Sequence, residues 1–166
     1  MRSVVLAMTV LIACRDAGAP SKTGGLTQAD AVSFYQTIDP ELRAFENDLV
    51  SVLGDHPYRC GTTNDPNELS ALIATVGRWA PAHQPRSMTW LEIELDCGGQ
   101  NQSLYATTWV GGRAPAPIDQ GPDVTLAWGS FAASTSTLIG INVTSRRIKA
   151  PEHVLVSAYY AVAPHR

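Results

Sequence analysis

From Thr89 to Cys97 apolar and polar side chains alternate without a break. Leu91, Ile93, Leu95 and Cys97 fall on one side, Trp90, Glu92, Glu94 and Asp96 on the other. A period of two marks a strand with one buried and one wet face. Gly98-Gly99-Gln100-Asn101 follows, and glycine accepts the positive φ that a tight turn needs. Met88 to Val110 therefore reads as a β-hairpin. Setting Cys97 opposite Gln102 pairs Leu95 with Leu104, Ile93 with Ala106 and Leu91 with Thr108. The other face then sets Trp90 across from Trp109 and Glu94 across from Tyr105, a cross-strand arrangement that contributes up to about 1 kcal/mol per pair.

Ahead of the hairpin the period changes to that of helices. Thr27, preceded by Leu26 and followed by Asp30, has the layout of a capping box with a hydrophobic staple. Ala31, Phe34, Tyr35 and Ile38 then form one apolar stripe. Asp39-Pro40-Glu41 reads as a new start, with a cap, a proline suited to the first helical position and an early acid. Leu42, Phe45, Leu49, Val52 and Leu53 follow up to Gly54, and Asp65-Pro66-Asn67-Glu68 opens a third stripe of Leu69, Leu72, Ile73 and Val76, closing near Gly77 to Trp79. All three stripes read as core faces.

After the hairpin and a loop over 111–122, three more strands are expected: Val124 to Phe131, Leu138 to Thr144 and His153 to Ala163. Helices gathered in the first half and strands in the second predict an α+β fold, with about three helices packed on a roughly five-stranded antiparallel sheet, most simply a meander.

A chain of 166 residues, 45% hydrophobic and 16% charged, is long enough for one domain with a substantial core. Its net charge of −3 supplies no basic face for nucleic acid. The histidines at 56, 83, 153 and 165 show no ligand spacing and no C-x-x-C occurs, so neither a metal nor another cofactor is expected. Cys60, in Asp55-His56-Pro57-Tyr58-Arg59-Cys60-Gly61, is the obvious disulfide partner for Cys97, while Cys14 is left over.

That odd cysteine has its own setting. Arg2 precedes an apolar run from Val4 to Ala13, half of the about 20 residues that span a bilayer and the layout of a secretory signal. Leu11-Ile12-Ala13-Cys14 resembles the bacterial lipobox, in which the peptide is cut before a cysteine that becomes acylated. The resemblance covers the leader alone. It implies residues 1–13 as signal peptide, a lipidated Cys14 with a flexible tether through residue 25, and a single domain over 26–166. Several acyl chains on one cysteine give lasting anchorage, each buried methylene adding about 0.8 kcal/mol. Under the sorting rule of some Gram-negative lipoproteins, the resemblance implies the outer membrane, because Arg15 rather than aspartate follows the cysteine. Cleavage near Ala17-Gly18-Ala19 is the rival reading, and it would place Pro20 directly after the cut.

The hairpin face bearing Trp90, Glu92, Glu94, Tyr105 and Trp109 is the candidate binding surface, because aromatics beside carboxylates stack on and hydrogen-bond sugars, and paired carboxylates serve glycosidic chemistry. Arg146, Arg147 and Lys149, with His153 beyond, form a basic cluster that reads as a solvated turn or as a contact for anionic lipid or polysaccharide. Neither Ser130 nor Gly111-Gly112-Arg113 sits in a catalytic or phosphate-loop motif. The expectation is a bacterial cell-envelope lipoprotein with a soluble binding or structural domain and no catalytic signature, held to the membrane by its anchor and meeting an envelope protein or polysaccharide. Two alternatives stand beside it. One is a small-molecule or carbohydrate binder, since helices on a curved sheet look like the cone-shaped folds related to nuclear transport factor. The other is a hydrolase using Glu92 or Glu94.

Overall fold

The computed structural model describes residues 26–61, 66–107, 118–133 and 136–162. Calls on the leader, on Cys14 and on Thr108 and Trp109 lie outside them. The fold is α+β: two helices, α1 (Gln28–Gly54) and α2 (Pro66–His83), and an antiparallel sheet of β1 (Trp90–Asp96), β2 (Asn101–Ala106), the two-residue β3 (Ile118–Asp119), β4 (Val124–Ala133), β5 (Ser136–Ser145) and β6 (Val154–Ala161).

The helix count is two, not about three, because the first two stripes belong to one helix. Thr27 caps it as expected, its hydroxyl accepting from the Asp30 amide while the Asp30 carboxylate accepts from the Thr27 amide. Pro40 then lies inside the helix instead of starting a new one. Asp39 is not free to cap, since its carboxylate accepts from the Tyr35 hydroxyl at 2.9 Å and from Arg43 Nε at 2.8 Å. An internal proline costs about 3 kcal/mol. Against that cost stands a buried stripe that runs through it unbroken, Ala31, Tyr35, Ile38, Leu42, Phe45, Leu49 and Leu53, each large member contributing about 1.5–3 kcal/mol. The second helix likewise runs past the expected stop, through Pro81 to His83.

The sheet order is β2-β1-β6-β5-β4-β3. Only β3 to β6 meander. The last strand enters between β5 and β1, and β2 and β3 become the two edges. This departs from the simple meander by placing β1 inside the sheet, where both of its edges are hydrogen-bonded and its Leu91, Ile93 and Leu95, fully buried, lie beside Ala158, Val156 and Val154 of β6.

Register then sorts whole rows onto one face or the other. Leu126, Val143, Ala158 and Leu91 form an inward row across four strands, all fully buried. The helices cover this side, α1 lying against β4 and α2 against β2, with Phe34 edge-on to Tyr160 at 6.0 Å. The outward row beside it is Thr125, Thr144, Ser157 and Glu92, and the next is Ala127, Asn142, Tyr159 and Trp90.

The hairpin register differs from the sequence expectation. Leu95 faces Gln102 rather than Leu104, and Ile93 faces Tyr105 rather than Ala106. A bulge between Ile93 and Glu94 leaves Leu104 as the extra residue of β2. It puts Leu104 into the core, 2% exposed, and swings Tyr105 to pack against the core as well. Bulges of this kind also blunt an edge strand against unwanted pairing.

Candidate functional site

Cys60 and Cys97 are joined, with Cα atoms 5.3 Å apart. The bond ties the α1–α2 connection to the start of the β1–β2 turn, and the Cys60 amide donates to Glu152 Oε1 at 3.1 Å, adding the segment before β6 to the same junction. Three otherwise separate connections meet there.

The outer face of β1 presents three of the five residues singled out from sequence. Trp90, Glu92 and Glu94 are half-buried along it. Tyr105 is on the opposite side of the sheet with Ile93, so the bulge removes it from this surface. The Trp90 indole N–H donates to the Thr107 carbonyl at 2.7 Å, and Thr107 also pairs with Leu91 through its own amide at 2.9 Å. Glu94 accepts from the Asn101 side-chain amide at 3.2 Å. The Glu92 carboxyl is held above its ordinary range, first by partial burial and then by the charge of Glu94. On the adjacent strand β6, Tyr159 is buried on this same outer side and lies across Gly140 of β5, its Cζ only 2.6 Å from where a Cβ would be.

Of the basic cluster, Arg147 is not solvated. Its guanidinium turns inward, with Nε 2.8 Å from Glu46 Oε2 and Nη1 2.5 Å from Asp39 Oδ1. Glu46 is 4% exposed, and removing a carboxylate from water is costly unless a cation comes with it. The sequence held a signal for this: Glu46 lies four residues after Leu42, on the apolar side of α1. Asp39 is raised by burial, but the hydrogen bonds from Arg147, Arg43 and Tyr35 outweigh that and hold it below the usual carboxylate range. Tyr160 is pushed well above the ordinary phenol range by burial and by the charges of Glu41 and Glu46.

Arg146, Lys149 and His153 remain exposed. They line an open depression of about 210 Å³ at one end of the sheet, together with Asp96, Asn101 and Asp123. Lys149 Nζ is 2.6 Å from Asp123 Oδ1. Among the described residues no three His, Cys, Asp or Glu side chains gather as a metal site, and no helix is long and apolar enough to cross a membrane.

Comparison with known proteins finds no matching family model, no matching curated protein and no matching solved structure.

Proposed function

We propose that this chain is a lipid-anchored protein of the bacterial cell envelope, whose folded domain serves there as a binding or structural module. The observation that carries the reading is the Cys60–Cys97 bond. Disulfides persist in oxidising compartments, so the bond supports export. It also uses both cysteines of the folded part and leaves for the third, Cys14, the position that resembles a lipobox. In this reading Cys14 bears the acyl chains, residues 15–25 are the tether, and the domain faces the periplasm or the cell surface, with the outer membrane favoured by Arg15.

The space between helices and sheet supports a module that works through its surface. Leu42, Leu49, Leu91, Ile93 and Leu95 fill it and are fully buried, where a cone-shaped binder of apolar ligands would keep a cavity. The separation of Tyr105 from Glu92 and Glu94 leaves Trp90 as the accessible aromatic beside those carboxylates in the described part of the face, its neighbour Tyr159 being buried, which weakens the carbohydrate and glycosidase alternatives.

Growth with a fatty-acid analogue tests the anchor. The native chain is expected to take up label and to fractionate with membranes, and Cys14→Ala to lose both. A native chain that stays soluble and unlabelled would overturn the reading.

A further inference from the structure

We infer that the depression at the end of the sheet, between the β1–β2 turn and the segment 146–153, binds a small zwitterion of amino-acid to dipeptide size through Asp96 on one side and Arg146 on the other. Strand order sets the two charges apart. Asp96 ends β1, and its amide donates to the His153 carbonyl beside it at 2.9 Å; Arg146 leaves β5 one strand further on, its amide donating to the Asp123 carbonyl at 2.7 Å. Arg146 continues the row of Leu155 and Glu94, two residues along β1 from Asp96, so with strands about 4.8 Å apart and about 3.3 Å per residue the two backbones stand about 12 Å from each other.

The groups that remain unsatisfied are sorted in the same way. Lys149 and Asp123 neutralise one another at 2.6 Å. Asn101 donates one of its two side-chain N–H groups to Glu94 and keeps its carbonyl oxygen as an acceptor beside Asp96, whose Oδ1 takes the Gly98 amide at 3.1 Å. The side chains of Arg146 and His153 make no hydrogen bond or ion pair among the described residues. The Asp96 carboxylate and the Asn101 carbonyl therefore lie on the β1 side and Arg146 on the β5 side, with His153 between them, over an apolar wall of Ile148 and Val154.

This polarity discriminates between ligand classes. A simple anion drawn to Arg146 meets the Asp96 and Asp123 carboxylates, and a simple cation drawn to Asp96 meets Arg146 and Lys149. A molecule with an ammonium at one end and a carboxylate at the other satisfies both sides at once. At about 210 Å³ the space is smaller than the about 300 Å³ at which drug-sized sites begin. An extended dipeptide, about 7 Å long, bridges the gap once the two side chains reach in. The site stands independently of the lipid anchor, so failure of one leaves the other intact.

Glycylglycine titrated into the full-length protein in detergent, followed by backbone amide NMR shifts, tests it. The dipeptide is expected to bind with Kd of about 1 mM and to move the signals of Asp96, Arg146 and His153. Acetate, ethylamine and N-acetylglycine amide should each bind about tenfold more weakly. Asp96→Asn keeps the acceptor for Gly98 and Arg146→Gln keeps the backbone bond to Asp123. Each is expected to weaken the dipeptide about fivefold or more with an unchanged melting temperature. No perturbation at about 10 mM dipeptide, acetate binding as tightly as the dipeptide, or indifference to both substitutions would overturn the proposal.

Discussion

Arg147 Nε lies 2.8 Å from Oε2 of Glu46, a residue 101 positions earlier in the chain. The contact pins the segment after β5 to the middle of α1, and the same guanidinium reaches Asp39 about two turns back along that helix. One arginine thus meets the electrostatic demands of two carboxylates on the inner side of α1.

Replacing Arg147 by methionine is expected to cost about 3–5 kcal/mol, because it leaves the Glu46 carboxylate buried without its cation. Adding Glu46→Leu should recover a large part of that loss, since the uncompensated charge then disappears. Urea titration of both variants measures it. The pair also sets an acid limit. Asp39 has a folded pKa below its unfolded value, so its stabilisation is complete above the ordinary range near 3.9 and is lost as pH falls from there through the folded pKa. The acid transition of the native protein should shift upward in Arg147→Met.

Reduction or Cys60→Ser/Cys97→Ser should remove about 4 kcal/mol on the chain-entropy model, the loop spanning a separation of 37 residues. Urea denaturation with and without reductant gives the difference. Mobility should also differ between reducing and non-reducing gels.

Two glycines predict opposite outcomes for the same substitution. A Cβ at Gly140 would collide with the Tyr160 carbonyl oxygen and the Tyr159 ring, so Gly140→Ala is expected to destabilise by about 1–3 kcal/mol. Gly77 lies inside α2, and beyond its chain neighbours and the helix's own backbone nothing comes within 4 Å of such a Cβ. There alanine should stabilise by about 0.5–1 kcal/mol. Thermal melts of the two variants, moving in opposite directions, check both.

Glu92 predicts a pH dependence of the other sign from Asp39. Its folded pKa is raised, so between the unfolded and folded values the native state holds a proton that the unfolded chain has released, and stability falls as pH rises through that window. Glu92→Gln should therefore melt higher than the native chain at pH 7 and equally at pH 3. The margin is about 0.5 kcal/mol or less, because the side chain keeps much of its contact with water.

Local patterns already carried much of this architecture. The alternation from Thr89 to Cys97 placed Leu91, Ile93 and Leu95 inside, Thr27 and Asp30 announced the start of α1, and two cysteines in the folded half announced their own bond. Each of these depends on residues close in the chain or on a choice with few alternatives. Three features depended on partners that no local window contains. Asp39-Pro40 reads as a helix start until Arg147, 108 positions later, claims the aspartate. The place of β6 beside β1 is a backbone pairing between segments far apart in the chain, Leu95 with Val154 and Trp90 with Tyr159, which no local pattern reveals. The bulge at Leu104 satisfies a core contact that strict alternation cannot reach, and it carries Tyr105 away from the glutamates it was expected to join. Periodicity determined which side of each element is apolar; long-range packing and the need to pair buried charge decided which elements run together, which strands meet, and therefore which polar side chains share a surface.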